Sequence, residues 1–264
     1  MILNNKVIWI TGASAGIGEA LALELSKQGA KIILSARREE ELLRVQKKCR
    51  LNNTNSLILT VDLADTTKIN ALTEKIISKF GKIDILINNG GVSQRSYANE
   101  TPLSVDRKVM ETNFFGTIAI TKSVLPFMLK QKSGMIVVIS SISGKFGFYL
   151  RSAYCASKHA LHGFFDSLRM EIYKENVNIL IVCPGRIQTN ISLNAMNEKG
   201  EKFNKMDAST ALGVNTDACA QKIISAMKKE KEEIYIGGKE LQAVYLKRFV
   251  PNIFSKIIRK MKVE

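Results

Sequence analysis

The chain has 264 residues, 45% of them apolar, enough for the core of one large α/β domain or two small ones. Its formal net charge is +15 and its isoelectric point lies near 9.7, which favours anionic partners. There is no apolar run of the roughly 18 residues that a spanning helix needs, no zinc-finger spacing and no aromatic RNA-binding signature. Nucleic acid is therefore not an expected partner. The four cysteines (Cys49, Cys155, Cys183 and Cys219) form no CxxC pair and read as free thiols, so no metal is expected. The start lacks the basic segment and small-residue cleavage site of a signal peptide, and a cytoplasmic protein is the expectation.

In chain order, short β-branched runs at 6–11, 31–36, 56–61, 83–88, 134–140 and 177–182 read as strands, with 232–237 as a seventh. They are apolar through both parities, as strands covered on both faces are. Helical patterns at 17–28, 39–50, 66–80, 105–132 and 153–175 lie between them. This alternation predicts an α/β class: a single doubly wound, mostly parallel, seven-stranded Rossmann domain over 1–238, followed by a C-terminal helical extension over 239–264. Pro126 inside a helical pattern predicts a kink. The aperiodic stretch 186–213 follows a strand end, where open parallel sheets bind ligands, and reads as a lid over a substrate.

The turn after the first strand is TGASAGIG (11–18). Gly12 permits the tight turn, Gly16 admits the approach of a pyrophosphate, and Gly18 lets helix and strand pack closely. The spacing differs from the GxGxxG fingerprint, but its place in the first βαβ unit points to a dinucleotide. An acidic residue at the end of the second strand would hold the 2′-hydroxyl of NAD. Here Ala36 is followed by Arg37 and Arg38. Guanidinium groups pair with phosphate, so NADP(H) is expected in preference to NAD(H).

Tyr154 and Lys158 stand four apart on one face of a predicted helix. Bringing a phenol from about 10 to about 7 takes roughly 4 kcal/mol. One cation about 4 Å away, at an effective dielectric near 20, supplies that much. Tyr154 could then donate a proton to a carbonyl being reduced or take one from an alcohol being oxidised. Ser140 and Ser141 end the strand just upstream, and either could orient the same oxygen.

TGASAGIG, INNGG (87–91), Ser140-Ser141, YCASK (154–158) and CPGRIQT (183–189) occur in the order and spacing of the short-chain dehydrogenase/reductase family, and the resemblance covers about 6–236. Within that family, AYCASKHALHGFFDSLRMEI is similar to the subgroup that holds the member 7 and 7B proteins and the 11β-hydroxysteroid dehydrogenases. The resemblance implies Tyr154 as acid/base, Lys158 as its activating partner and ribose contact, Ser141 as the substrate-orienting serine, and Asn113 as the holder of a relay water. It further implies cofactor contacts from Gly12, Ser14, Gly16, Ile17, Gly18, Arg37, Arg38, Asp62, Leu63, Asn89, Gly90, Tyr154, Lys158, Ile187 and Thr189, and a homodimer or homotetramer. Gly90 stands where the family carries alanine, and Arg186 lies near the expected substrate position.

The last 26 residues carry seven Lys/Arg and two Glu. Ile253, Phe254, Ile257, Ile258 and Met261 recur at helical spacing, with Lys256, Arg259, Lys260 and Lys262 on much of the other side. Such a helix can lie in a membrane interface through 250–264 or cover its own domain or a partner copy. The expected activity is NADP(H)-dependent interconversion of a small-molecule carbonyl and alcohol, with Phe146, Phe148 and Tyr149 suggesting a lipophilic substrate. The alternatives are a non-catalytic NADP(H) sensor or scaffold and a 3-oxoacyl-carrier-protein reductase.

Overall fold

Each apolar run becomes a strand, buried on both faces in the middle of the sheet and only partly at its two edges. In the computed structural model, which describes residues 1–260, β1 spans Val7–Thr11, β2 Lys31–Ala36, β3 Ser56–Thr60, β4 Ile85–Asn88, β5 Gly134–Ile139, β6 Val177–Pro184 and β7 Glu233–Ile236. All seven pair in parallel, in the order β3-β2-β1-β4-β5-β6-β7. Alternate residues feed opposite layers, as a pleated strand requires. Ile8, Ile10, Ile32, Leu34 and Val137 pack in one core, against α1 (Gly16–Ser26) and α8 (Thr216–Lys228). Val7, Trp9, Ile33, Leu86 and Ile136 pack in the other, against α3 (Ile69–Phe80), α5 (Gly116–Gln131) and α6 (Ser152–Glu171). The indole of Trp9 is satisfied within the sheet by Ser35 Oγ at 2.7 Å.

The remaining helices are α2 (Glu39–Lys48), α4 (Leu103–Met110), the short α7 (Ala208–Ala211), α9 (Gln242–Phe249) and α10 (Pro251–Ile258). The predicted helix over 105–132 is α4 and α5 joined by a π turn at Glu111–Phe115. The π turn interrupts the regular helix, and α5 continues through Pro126. Strand order reverses beside β1, between β1–β2 and β1–β4, which opens a crevice at the carboxyl ends of the strands.

The C-terminal extension covers its own domain. Val244 and Phe254 are buried with Phe146, and the two phenyl rings lie 5.3 Å apart. Phe249, Ile253 and Ile257 remain exposed. The expectations placed on Met261 and Lys262 lie outside the described residues. No helix among the described residues is long and apolar enough to cross a membrane.

Candidate active site

The crevice is a cleft of about 620 Å³. At one end lies the turn after β1. Gly12 and Gly16 have φ of +63° and +59°, a region that side-chain-bearing residues rarely adopt. A methyl on Gly12 would stand 2.7 Å from Gly90 Cα, and one on Gly18 2.3 Å from the Gly12 carbonyl oxygen. Gly18 thus supports the turn from behind, while Gly12, Ser14, Gly16 and Ile17 face the cleft. Asn89 braces the turn, donating from Nδ2 to the carbonyls of Thr11 and Gly12, both at 3.0 Å. Ala15 at the N-cap of α1 offers no side-chain acceptor to the first N–H groups of the helix. Those free donors and the cradle around Gly16 suit a phosphate.

Asp62, Leu63, Asn89 and Gly90 line the neighbouring wall. A methyl on Gly90 would meet Leu63 Cδ1 at 2.5 Å, so leucine fills the room that alanine would take. Arg37 and Arg38 border the cleft, and neither forms an ion pair among the described residues. Glu39, Glu40 and Glu41 occupy the first turn of α2 and complement its dipole. The arginines' opening onto the cleft therefore says more than their position at a helix start. Arg44, which sequence reasoning passed over, ties α2 to the turn: it donates to Ser14 O at 3.1 Å and pairs with Glu19 at 2.8 Å.

At the other end, β5 and α6 bring Ser141, Tyr154 and Lys158 into the same cleft, and the segment after β6 adds Ile187 and Thr189. The Thr189 methyl reaches to 3.1 Å from where a Cβ on Gly16 would sit, so this segment closes over the glycine turn. The two serines divide. Ser140 Oγ turns towards α6, 3.1 Å from His162 Nε2. Ser141 Oγ accepts from Ser143 N at 3.0 Å and stands beside the Tyr154 phenol, whose ionised form it favours.

Several expectations need correction. Burial pushes the Tyr154 phenol above its ordinary range, and that outweighs the neighbours that favour ionisation. The Lys158 ammonium lies 5.8 Å from the centre of the Tyr154 ring and donates instead to Ile139 O at 2.8 Å. Desolvation brings Lys158 itself down to about 8. In this geometry the lysine's hydrogen bond goes to a strand carbonyl rather than to the phenol, while its positive charge, which that bond does not remove, stays beside the ring. Asn113 sits in the π turn, 1% exposed and outside the cleft lining. Its amide accepts from Val92 N at 2.8 Å and donates to Val92 O at 2.9 Å and Ser157 Oγ at 3.0 Å, which uses both N–H donors and leaves one acceptor site on Oδ1. Arg186 is exposed and does not line the cleft; its backbone N–H is held by Glu240 at 2.9 Å. Phe146 belongs to the small core under α10 rather than to the cleft.

Two clusters were not legible. His162, Cys183 and Glu233 bring ligand atoms within 4.8 Å of one another. The imidazole meets Cys183 and Ser140 with Nε2 but Glu233 with Nδ1, so one ion cannot take both sides. Glu233 is also paired with Lys145 at 2.6 Å. The group is a buried polar network in which desolvation lowers His162 to about 4. The second cluster joins Arg95, Arg151 and Asp207 under the substrate end of the cleft. Nothing local announces it, since Arg95 and Asp207 are 112 positions apart.

Known proteins carry the same organisation. Residues 6–200 match the family model described as short chain dehydrogenase. The chain is 42% identical to a dehydrogenase/reductase SDR family protein 7-like of Anopheles gambiae, over 98% of this chain and 83% of that protein. It is 40% identical to the human SDR family member 7, over 98% of this chain and 78% of that protein. Among solved structures, a short-chain dehydrogenase from Streptomyces avermitilis superposes with a TM-score of 0.81 at 26% identity, covering 97% of this chain and 96% of the other. A family member from Burkholderia phymatum in complex with NAD shares the fold, with a TM-score of 0.85 at 22% identity over 100% of this chain and 98% of the other. With the glycine turn, the strand-end serine and the Tyr154/Lys158 pair in one cleft at the sheet's switch point, the chain belongs to the short-chain dehydrogenase/reductase family of oxidoreductases.

Proposed function

We propose that the protein interconverts a carbonyl and an alcohol with NADP(H), through Tyr154, Lys158 and Ser141. One observation carries this reading. A single cleft holds the glycine turn, two arginines at the adenosine end that are unpaired among the described residues, and the buried phenol, ammonium and hydroxyl at the other end. A bound nicotinamide supplies or accepts the hydride. Tyr154 Oη gives a proton to the carbonyl oxygen in reduction and takes it back in oxidation. Ser141 Oγ holds that oxygen against the phenol. Lys158, at about 8, remains mostly protonated at neutral pH and can hand a proton on from the buried side. Asn113 acts by holding the Val92 wall. Arg37, with Arg38 beside it, favours the 2′-phosphate. Val92, Ile187 and Ile191 give the substrate region apolar surface, while Asn190, Asn194 and Lys202 supply polar groups. A substrate with an apolar body and a polar end suits that lining.

The test is NADPH oxidation against a carbonyl panel of small aldehydes, steroids and 3-oxoacyl thioesters. Turnover is expected with NADPH favoured over NADH by at least about tenfold, worth ~1.4 kcal/mol. Arg37→Asp narrows or inverts the ratio; an unchanged ratio removes Arg37 from the phosphate site. Tight NADPH binding without turnover across the panel favours the sensor reading. Exposed Phe249, Ile253 and Ile257 beside Lys256 and Arg248 support contact with an acidic membrane surface, which flotation of liposomes with and without residues 250–264 tests. Exposed Phe115, Met170 and Tyr173 support pairing of two copies, which sedimentation reads.

A further inference from the structure

Three elements meet beneath the start of α6. Arg95 comes from the segment after β4, Arg151 is the N-cap residue of α6, and Asp207 and Ser192 come from the segment after β6. Arg95 and Asp207 are buried, with side chains 3% and 5% exposed. Arg95 pairs with the carboxylate through Nη2, and its Nη1 donates to Ser93 Oγ at 2.9 Å and Gln94 O at 2.7 Å. Arg151 donates to the same carboxylate oxygen at 2.8 Å and stacks over Phe148 at 4.8 Å. Ser192 Oγ adds a third donor to it at 2.9 Å. The same three residues after β4 clip the later segment by backbone: Arg95 N donates to Met196 O and Met196 N to Ser93 O, both at 2.8 Å. Gln94 Oε1 accepts from Ala153 N at 2.9 Å, next to Tyr154.

Two guanidiniums share one carboxylate, and neither arginine has another acidic partner among the described residues. One positive charge is left over, shared by a buried and a half-buried arginine at the N-terminal, positive end of α6. Cations are misplaced there unless negative charge develops nearby. Tyr154 lies in that first turn, three residues after Arg151, and is the group on which negative charge would develop. We infer that Arg95, Arg151 and Asp207 form a second electrostatic element of the site, in which the surplus charge favours ionised Tyr154 and Asp207 tempers it while pinning the 186–213 segment to the catalytic helix. Burial disfavours the ionised phenol, and Arg151 and Arg95 are among the groups that oppose it. Among the other titratable groups near Tyr154, Cys155 on its own helix acts against ionisation and Lys158 is bonded to Ile139 O. Arg95 and Arg151 are thus positioning residues that act through Tyr154.

The inference rests on the proposed role of Tyr154 only for its kinetic reading. The direct measurement is the ionisation of Tyr154 in protein labelled with ¹³Cζ-tyrosine, assigned by loss of one resonance in Tyr154→Phe. Arg151→Gln is expected to move the midpoint up, Arg151→Lys to restore it, and Asp207→Asn to move it down. A structural defect has no reason to shift the first and last in opposite directions. In the alcohol-oxidation direction, the pH profile moves the same way. For Arg151→Gln, a midpoint one pH value higher means a rate at neutral pH about tenfold lower. If Arg151→Gln does not fold, Asp207→Asn against wild type decides by the sign of its shift. A midpoint unmoved by either change, or the same in Arg151→Gln and Arg151→Lys, overturns the inference. Midpoints that shift as expected in a protein without turnover would keep the electrostatic element and remove the enzyme reading; turnover with unmoved midpoints would do the reverse.

Discussion

The two ends of the cleft are held in different ways. At the glycine end the parts are close in sequence or joined by backbone: the turn over 11–18, the strand ends of β1 and β4, and one asparagine bracing two carbonyls. At the substrate end the parts come from distant segments joined by charge, with Asp207 holding arginines 112 and 56 positions away. The first kind of construction depends on the absence of side chains, since a methyl at Gly18 or Gly12 has no room. The second depends on a balance of buried charges, which can be retuned without moving a backbone atom. A shared nucleotide site and a variable substrate site are what such a division allows.

Each kind of construction has its own weak point. The largest effect is expected at the glycine end: Gly18→Ala places a Cβ 2.3 Å from the Gly12 carbonyl oxygen and should cost more than about 3 kcal/mol in urea unfolding, along with dinucleotide binding. A well-folded variant with normal NADPH affinity would show that the turn has slack. Next comes Lys158→Met. A folded-state pKa of about 8 against 10.5 unfolded means that the buried ammonium destabilises the fold by roughly 3 kcal/mol, fully below pH 8 and not at all above pH 10.5. Losing the bond to Ile139 O returns roughly 1 kcal/mol of that. The variant should therefore be about 2 kcal/mol more stable than wild type at pH 7, with the difference passing through zero as pH rises through that window and reversing to about 1 kcal/mol less stable above it. Equal stability at pH 7 would mean that the ammonium is better solvated than its burial suggests. The smallest effect belongs to the substrate end. Ser192→Ala removes one of the three residues that donate to Asp207 and should cost about 1 kcal/mol, read most sharply as faster proteolysis within 190–207.

What could be read from the sequence follows the same division. All seven strands were legible because each is a short β-branched run, and the parity of β1 even separates Ile8 and Ile10 from Val7 and Trp9 into opposite cores. The glycine turn, Ser141, Tyr154 and Lys158 were legible as motifs, and all line or support the cleft. The hydrogen-bond partner of Lys158 was not, because helical spacing brings two side chains to one face without saying which acceptor takes the lysine's protons. Asn113 was found, but its amide goes to Val92 and Ser157, a pairing set by the π turn that no local pattern announces. Arg95 and Asp207 were missed because a charge in a loop reads as solvated until its partner is known.

The proposed chemistry rests on Tyr154 as the group that exchanges a proton with the substrate oxygen. Wild type and Tyr154→Phe should therefore be compared for NADPH binding, by fluorescence titration, and for turnover of any carbonyl that wild type reduces. The expected result is NADPH affinity within about twofold and turnover lower by about 10²–10⁴-fold. Turnover retained at wild-type rates by Tyr154→Phe would contradict that role.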